Sequence, residues 1–270
     1  MNLSKISTPS GTRWLFDGAL LPESFSLSAL LALPAAQIAA HLAGAVSAEK
    51  ASGAAQPPID PHQEVWASGV TYLRSRDARK AESSVADVYQ KVYEAERPEL
   101  FMKSTGWRVR TSGDAAHIRA DSGWNVPEPE LVIVINAHGE IVGYTAGNDM
   151  SSRDIEGENP LYLPQAKVYN GSCILGTSIV LAPATAMSDL AVSLEIVRGT
   201  DVMFMGETNI NRMKRGLQEL VTYLYRELAF PAGAFLMTGT GVVPPETFTL
   251  HKGDIVRIRV GDVSLDNRID

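Results

Sequence analysis

Three acidic side chains, Glu128, Glu130 and Asp149, have the type and the spacing of a site for a divalent cation. Glu128 and Glu130 are separated by a single residue, so in a β-strand their side chains point to the same face. Like charges on one face repel each other unless water, protons or a cation neutralise them. Because hard divalent ions prefer oxygen ligands, an all-carboxylate set indicates Mg²⁺, with Mn²⁺ or Ca²⁺ as alternatives.

A β-hairpin is the element that positions these acids. Residues 131–135 are apolar and mostly β-branched, and they are bounded by a proline and by Asn and Gly turn residues, which predicts a buried strand. Residues 141–145 can return along the first strand as its partner. The sequence therefore predicts a hairpin whose open end carries the acidic residues.

The register of this hairpin decides whether the acids meet. If the turn is centred between residues 138 and 139, Glu130 lies opposite Gly147 and Glu128 lies opposite Asp149. Cross-strand partners point to the same face, so the three carboxylates converge. Two glutamates with this spacing are more often only the solvated face of a strand. The third acid in register favours the metal site.

Length and composition restrict the class of protein. The chain has 270 residues, 45% hydrophobic and 20% charged, which suits a soluble globular protein with a sizeable core. A net charge of −7 argues against binding to nucleic acid or to acidic membranes. The single cysteine, Cys173, excludes an internal disulfide. Residues 1–10 lack the layout of a signal peptide, so we expect a cytoplasmic protein.

The chain divides by composition into two predicted domains. Residues 1–60 form a small N-terminal unit with a short hairpin and an Ala- and Leu-rich helical stretch, and residues 61–270 form the catalytic domain. The helical stretch at 27–46 is apolar, but Pro34 and polar residues interrupt it, which indicates a pair of core helices and no membrane span. Residues 53–61 are rich in Gly, Ala and Pro and are interpreted as a linker.

Three further segments carry polar side chains with more than one interpretation. A basic loop containing Arg76, followed by a helix capped by Ser84, is either a lid over an anionic substrate or a solvated surface segment. Lys167 lies in an apolar, amide-rich run of residues. Its side chain is either an exposed charge or an acid/base group. The turn that contains Gly239 and Thr240 could bind an anion or only reverse the chain.

Four short motifs together resemble those of the fumarylacetoacetate hydrolase family. They are Glu-Pro-Glu at 128–130, Gly-Tyr-Thr-x-x-Asn-Asp-x-Ser-x-Arg-Asp at 143–154, Ala-Lys-x-Tyr at 166–169 and Thr-Gly-Thr-Gly at 238–241. The resemblance implies an α+β fold, a mixed β-roll that follows the small N-terminal α+β unit, and a homodimer or higher homo-oligomer. It also implies Mg²⁺ or Mn²⁺ bound by Glu128, Glu130 and Asp149, with Lys167 as the active-site lysine.

Within the family, the segments at 69–79, 96–103 and 151–167 are most similar to the 2-keto-3-deoxy sugar acid dehydratases. The carbon–carbon bond hydrolases of the family carry a His and Glu pair shortly after the position of Tyr72, and the six residues that follow Tyr72 here contain no histidine. The resemblance therefore favours a metal-dependent lyase that acts on a small 2-oxo acid. A pentonate substrate would give 2,5-dioxopentanoate.

The expected chemistry assigns a role to each candidate residue. The metal would stabilise the enolate formed when a C3 proton leaves, and the C4 hydroxyl would then depart. Glu99 or Lys167 is the base, and the other one serves the departing hydroxyl. Candidates for binding the substrate, or for bracing the metal ligands, are Arg76, Arg153, Gly239 and Thr240.

Two other functions remain open at this stage. One is a Mg²⁺-dependent hydrolase or decarboxylase of acylpyruvates or diketo acids. The other is a protein that binds 2-oxo acids with a metal and does not turn them over.

Overall fold

Strands and short helices alternate along the chain. The computed structural model describes the backbone of residues 1–82 and 86–270 and the side chains of residues 1–78 and 88–270. Its strands are β1 Asn2–Thr8, β2 Gly11–Phe16, β3 Ala19–Leu20, β4 Ala54–Gln56, β5 Glu64–Gly69, β6 Glu99–Thr105, β7 Asn125–Val126, β8 Pro129–Ile135, β9 Ile141–Asp149, β10 Ser151–Ser152, β11 Cys173–Leu175, β12 Ser178–Leu181, β13 Ala191–Arg198, β14 Asp201–Asn209, β15 Ala234–Met237, β16 Ile255–Val260 and β17 Val263–Arg268.

The helices are short and lie between the strands. The α-helices are α1 Leu27–Leu31, α2 Ala35–Ala45, α3 Leu73–Glu82, α4 Ala86–Glu94, α5 Arg153–Glu158, α6 Leu163–Lys167 and α7 Leu217–Leu224. Single turns of 3₁₀-helix occur at Gly106–Arg108, Pro160–Tyr162, Ala184–Met187 and Ile210–Arg212. Among the described residues, no helix combines the length and the apolar composition needed to cross a bilayer.

Two sheets build the framework. The larger sheet has the order β3-β2-β1-β12-β9-β8-β15-β5-β6, with β11 also paired to β9 and β4 to β1. Its β15 and β5 are parallel, and the other pairs are antiparallel. The smaller sheet has the order β14-β13-β16-β17 and is antiparallel. This mixed architecture confirms the predicted α+β class.

Residues 131–135 of strand β8 are all apolar because both faces of the strand are covered. Leu131 and Ile133 belong to the core that includes residues of the smaller sheet and of α7. Val132 and Val134 point the other way, into the core that includes residues of α1 and α2. Each fully buried side chain of this size contributes about 1.5–3 kcal/mol. Packing on both sides therefore holds the hairpin of β8 and β9 rigidly at the centre of the fold.

The first 60 residues share a sheet and a core with the rest of the chain. Strand β1 pairs with β12, and Leu3 and Trp14 lie in the same apolar core as Val132 and Val134. Helices α1 and α2, separated by Pro34, cover this core, as the sequence predicts. The domain boundary at residue 60 stays a prediction, but the two parts are continuous in the sheet.

The segment that was predicted to be a basic loop is helix α3. It contains neither Gly nor Pro, so nothing in its sequence breaks a helix. Ser75, in its first turn, donates from Oγ to the carbonyl oxygen of Tyr72 at 2.8 Å and accepts from the N–H of Tyr72 at 3.3 Å, which fixes the start of the helix. Ser84, the predicted N-cap of the following helix, lies outside the described residues.

Candidate active site

The open end of the central hairpin brings three carboxylates together. Glu130 pairs with Gly147, which confirms the predicted register. The backbone N–H of Asp149 donates to the carbonyl oxygen of Glu128 at 3.0 Å, so these two residues lie opposite each other. Glu128, Glu130 and Asp149 each offer one oxygen within 4.8 Å of the others, and all three are buried. The structure therefore confirms the cluster that the sequence predicts.

Two cations from the segment after the hairpin neutralise part of this charge. Lys167, the last residue of α6, places Nζ 2.9 Å from Oε2 of Glu128 and 3.1 Å from Oδ2 of Asp149. Arg153, the first residue of α5, places Nη2 3.0 Å from Oε1 of Glu128. Lys167 also donates to the Ser151 hydroxyl at 2.6 Å. Lys167 and Arg153 are each 2% exposed, so both ammonium and guanidinium groups belong to the buried site.

A second lysine completes the cation set. Lys103, on β6, places Nζ 2.5 Å from Oδ1 of Asp149. The same ammonium donates to the carbonyl oxygens of Met150 at 3.0 Å and Lys167 at 2.5 Å. Three acids thus face three cations: Lys103, Lys167 and Arg153. The ion pairs of these cations are with Glu128 and Asp149, so these two buried carboxylates are paired, as low-dielectric surroundings require.

Gly239 supports Glu130. Its N–H donates to Oε2 of Glu130 at 2.6 Å. Its φ of +93° lies in the left-handed region, and a Cβ there would come within 2.1 Å of Oγ1 of Thr71. Only glycine has both the backbone freedom and the small size for this position. The anion that this Gly-rich turn binds is therefore the carboxylate of Glu130, a residue of the protein itself.

The electrostatics of Glu130 indicate what the cluster can bind. Burial raises the pKa of Glu130 well above its usual range, and the charges of Asp149 and Glu128 raise the pKa further, while Lys167 and the Gly239 N–H oppose the shift. A carboxylate in this position takes up either a proton or a cation. Three buried oxygen ligands within reach of one point fit a hard divalent ion. The residues present therefore fit Mg²⁺.

A small cavity of about 20 Å³ adjoins the carboxylates. Glu99, Glu128, Asp149, Glu156, Lys167 and Thr240 are among the residues that line it. Glu99 is partly buried, and its carboxylate lies so close to Gly69 that a Cβ at Gly69 would be 1.9 Å from Oε2. The cavity therefore places both predicted acid/base residues beside two of the predicted metal ligands.

Backbone strain occurs on the wall of the same cavity. Val70 has a φ of +53°, which is unusual for a β-branched residue and costs about 1–3 kcal/mol. The next residue, Thr71, is held in place because its hydroxyl donates to the carbonyl oxygen of Thr238 at 2.7 Å and its own carbonyl accepts from the Lys214 N–H at 2.9 Å. Because these two hydrogen bonds fix Thr71, they help to maintain the strained conformation of Val70.

The remaining predicted site residues have different placements. Thr240 lines the cavity, where its hydroxyl donates to the carbonyl oxygen of Val242 at 3.1 Å. Arg76 does not join the carboxylates: its Nε donates to Asp77 at 2.9 Å, and its guanidinium lies 5.2 Å from the ring centroid of Tyr93. Substrate binding by Arg76, Arg153, Gly239 and Thr240 stays a prediction.

Sequence reasoning missed Lys103, Ser151 and Glu156. Lys103 follows Glu99 and Phe101 on β6 at a spacing of two residues, and this spacing is the signal that could have identified it. Ser151 belongs to the Asn-Asp-x-Ser motif without an assigned role. Glu156 is an acid one turn after Arg153 on α5, and it is buried in the cavity wall.

Comparisons with known proteins agree with this geometry. The chain is 48% identical over 214 residues, covering 78% of it and 73% of the relative, to a Haloferax volcanii protein named "Probable 2-keto-3-deoxyxylonate dehydratase". It is 44% identical over 212 residues, covering 76% of it and 70% of the relative, to 2-dehydro-3-deoxy-D-arabinonate dehydratase of Saccharolobus solfataricus.

A solved structure is similar over the whole length. It is 2-keto-3-deoxy-D-arabinonate dehydratase complexed with magnesium and 2,5-dioxopentanoate, with a TM-score of 0.83 and 32% identity over 100% of this chain and 99% of that chain. The family model described as fumarylacetoacetate (FAA) hydrolase C-terminal matches residues 64–270. The chain therefore belongs to the fumarylacetoacetate hydrolase family.

Proposed function

We propose that this protein is a Mg²⁺-dependent dehydratase that removes water from a 2-keto-3-deoxy sugar acid. A pentonate is the favoured substrate, and the product is then 2,5-dioxopentanoate. The observation that carries the proposal is the buried cluster of Glu128, Glu130 and Asp149 beside a cavity that also contains Glu99 and Lys167. The relatives named as dehydratases, and the magnesium and 2,5-dioxopentanoate in the similar structure, support the same chemistry.

The three carboxylates would hold the metal. Mg²⁺ bound there supplies a Lewis acid that polarises the 2-oxo group of the substrate and makes the C3 proton more acidic. Arg153 and Lys103 keep Glu128 and Asp149 oriented, through contacts of 3.0 Å and 2.5 Å. The Gly239 N–H does the same for Glu130 at 2.6 Å.

Proton transfer is assigned to Glu99 and Lys167. The Lys167 ammonium donates to two carboxylates and to the Ser151 hydroxyl, and it lines the cavity, so we assign it as the group that serves the departing hydroxyl. Glu99 is the acidic group of the cavity on β6, and we assign it as the base at C3. Glu99 takes the C3 proton, the electron pair forms the C3–C4 double bond, and the C4 hydroxyl leaves as water with a proton from Lys167. The unsaturated 2-oxo acid then tautomerises: a proton moves from C5 to C3, and the resulting C4–C5 enol becomes the aldehyde of 2,5-dioxopentanoate.

A substrate comparison tests the proposal. The purified chain with Mg²⁺ is incubated with a 2-keto-3-deoxy pentonate and, separately, with an acylpyruvate. We expect an aldehyde product from the first and no carbon–carbon cleavage of the second. Two carbon fragments from the acylpyruvate, with no aldehyde from the pentonate, would instead support the hydrolase alternative, which the comparisons do not favour.

The assembly and the location of the protein stay predictions. A homodimer or higher homo-oligomer is expected from the family, and size-exclusion chromatography with light scattering measures it directly. The cytoplasmic location rests on the sequence alone.

A further inference from the structure

The two lysines that contact Asp149 bind different kinds of acceptor. Lys103 is 0% exposed, and its three neighbours are Oδ1 of Asp149 and the carbonyl oxygens of Met150 and Lys167, at 2.5, 3.0 and 2.5 Å. Lys103 donates hydrogen bonds to the two carbonyl oxygens, and its contact with Oδ1 of Asp149 is an ion pair. Two of the three contacts are therefore to backbone atoms.

Lys167, in contrast, contacts side-chain oxygens of two of the three clustered carboxylates. Its Nζ lies 2.9 Å from Oε2 of Glu128 and 3.1 Å from Oδ2 of Asp149. An ammonium and a divalent cation cannot occupy the same contact to these oxygens without repelling each other. Asp149 therefore has one oxygen held by Lys103 and a second oxygen contacted by Lys167.

From this geometry we propose that the two lysines act in opposite directions on metal binding. Lys103 is a positioning residue that holds Oδ1 of Asp149, so that the carboxylate presents its other oxygen to the metal. Lys167 stands in for the cation in the metal-free protein, and binding of the metal displaces it toward the substrate. The inference rests on the metal site of the proposed function and deepens it.

The location of Lys103 gives it a second consequence. Lys103 and Glu99 both lie on β6, four residues apart. By contacting Asp149 on β9 and the last residue of α6, Lys103 joins the strand of the proposed base to the metal ligand and to the backbone of Lys167. The distance between base and metal is therefore set through Lys103.

Metal affinity tests the proposal without any turnover. Mn²⁺ binding to the full chain is measured by electron paramagnetic resonance for the wild type, Lys103→Met and Lys167→Met, two matched variants that each replace a buried ammonium by an apolar side chain. We expect Lys103→Met to raise the Kd for Mn²⁺ by about 10- to 100-fold, the effect typical of removing a group that orients a ligand. We expect Lys167→Met to lower the Kd by roughly three- to tenfold, because a competing cation is removed.

The activity of the same variants separates positioning from proton transfer. Raising the Mn²⁺ concentration should restore dehydration in Lys103→Met, because its defect lies in binding the metal. Lys167→Met should stay inactive at every Mn²⁺ concentration. A variant with merely lower stability would show neither pattern.

Each result decides between the alternatives. Unchanged Mn²⁺ affinity in Lys103→Met, or weaker affinity in Lys167→Met, would overturn the inference while leaving the proposed function intact. A wild-type chain that binds no Mn²⁺ would overturn the metal site of the proposed function itself. If Lys103→Met does not fold, Lys103→Gln takes its place, because the amide still donates to the backbone carbonyls; a Kd equal to that of the wild type would then refute the role of the ammonium.

Discussion

The hairpin of β8 and β9 has a glutamate near each end, and their surroundings differ. At the turn, Glu140 accepts hydrogen bonds from the Ala35 N–H at 2.7 Å and from the Asn136 amide at 2.7 Å. These bonds lower the pKa of Glu140 below its usual value. At the open end, burial and the neighbouring carboxylates raise the pKa of Glu130. The same hairpin thus stabilises one carboxylate and leaves the other in need of a cation.

The difference between these two glutamates distinguishes an acid that stabilises the fold from an acid that is suited to bind a cation. Glu140 is exposed and surrounded by neutral donors, so its charge helps to hold the turn against the start of α2. Glu130 is 1% exposed and shares its site with two further acids, an arrangement that stability alone does not favour. Matched substitutions at the two ends of the hairpin test this difference.

The largest effect is expected at the open end. Glu130→Gln should reduce kcat/KM by about a thousandfold, or about 4 kcal/mol, because a neutral amide cannot replace an anionic metal ligand. The free energy of unfolding of the metal-free protein should not fall, because a buried like charge is removed. Steady-state kinetics and urea unfolding measure the two effects. Glu140→Gln is the control and should keep the activity of the wild type.

The next effect concerns the proposed base. Glu99→Gln should lower kcat by about a hundredfold, within the range for loss of a general base. Its Kd for Mn²⁺ should stay within roughly twofold of the wild-type value, because Glu99 is not one of the clustered ligands. Single-turnover kinetics with a metal titration would test this. A large loss of Mn²⁺ affinity would contradict the assignment of Glu99 as a proton-transfer residue.

A smaller effect is expected from the glycine that supports Glu130. Gly239 and Gly253 have φ values of +93° and +94°, but only Gly239 lacks space for a Cβ. Gly253→Ala should cost about 1 kcal/mol of stability for the backbone alone, and Gly239→Ala should cost about 1–3 kcal/mol more because of the overlap with Thr71. Only Gly239→Ala should weaken Mn²⁺ binding. Equal losses in both variants would show that the contact with Glu130 is unimportant.

The smallest effect is expected at the turn. Glu140→Gln should lower the free energy of unfolding by about 1 kcal/mol or less, because the carboxylate is exposed and solvent screens it. A lowered pKa means that the stabilisation is present above the unfolded-state pKa and is lost as the pH falls through the folded-state pKa. The two unfolding curves should therefore converge in acid. A difference that grows as the pH falls would contradict this sign.

Local spacing was sufficient to predict the acidic cluster. The hairpin is a short-range element, so its register follows from the turn and from the alternation of side chains, and the structure confirms Glu130 opposite Gly147. The motifs also indicated the correct family and the α+β class, which the match over residues 64–270 confirms. The predicted loop at 73–82 was wrong because charged residues do not by themselves exclude a helix.

Long-range contacts could not be predicted in this way. Lys103 reaches Asp149 although β5, β15 and β8 lie between β6 and β9 in the sheet. Only a strongly curved sheet brings those side chains together, and strand order and curvature are not encoded in the spacing of any one segment. Arg76 contacts Asp77 and the Tyr93 ring, which its sequence spacing did not indicate, and its role in binding the substrate stays a prediction.

The position of β15 between β8 and β5 affects biosynthesis. Residues 234–237 of this strand complete the hydrogen bonds of two strands made much earlier, β8 antiparallel to it and β5 parallel. On the ribosome, both earlier strands keep an unpaired edge until residue 237 has emerged, and unpaired edges recruit other chains. Release of nascent chains that stop before β15 should therefore yield aggregates.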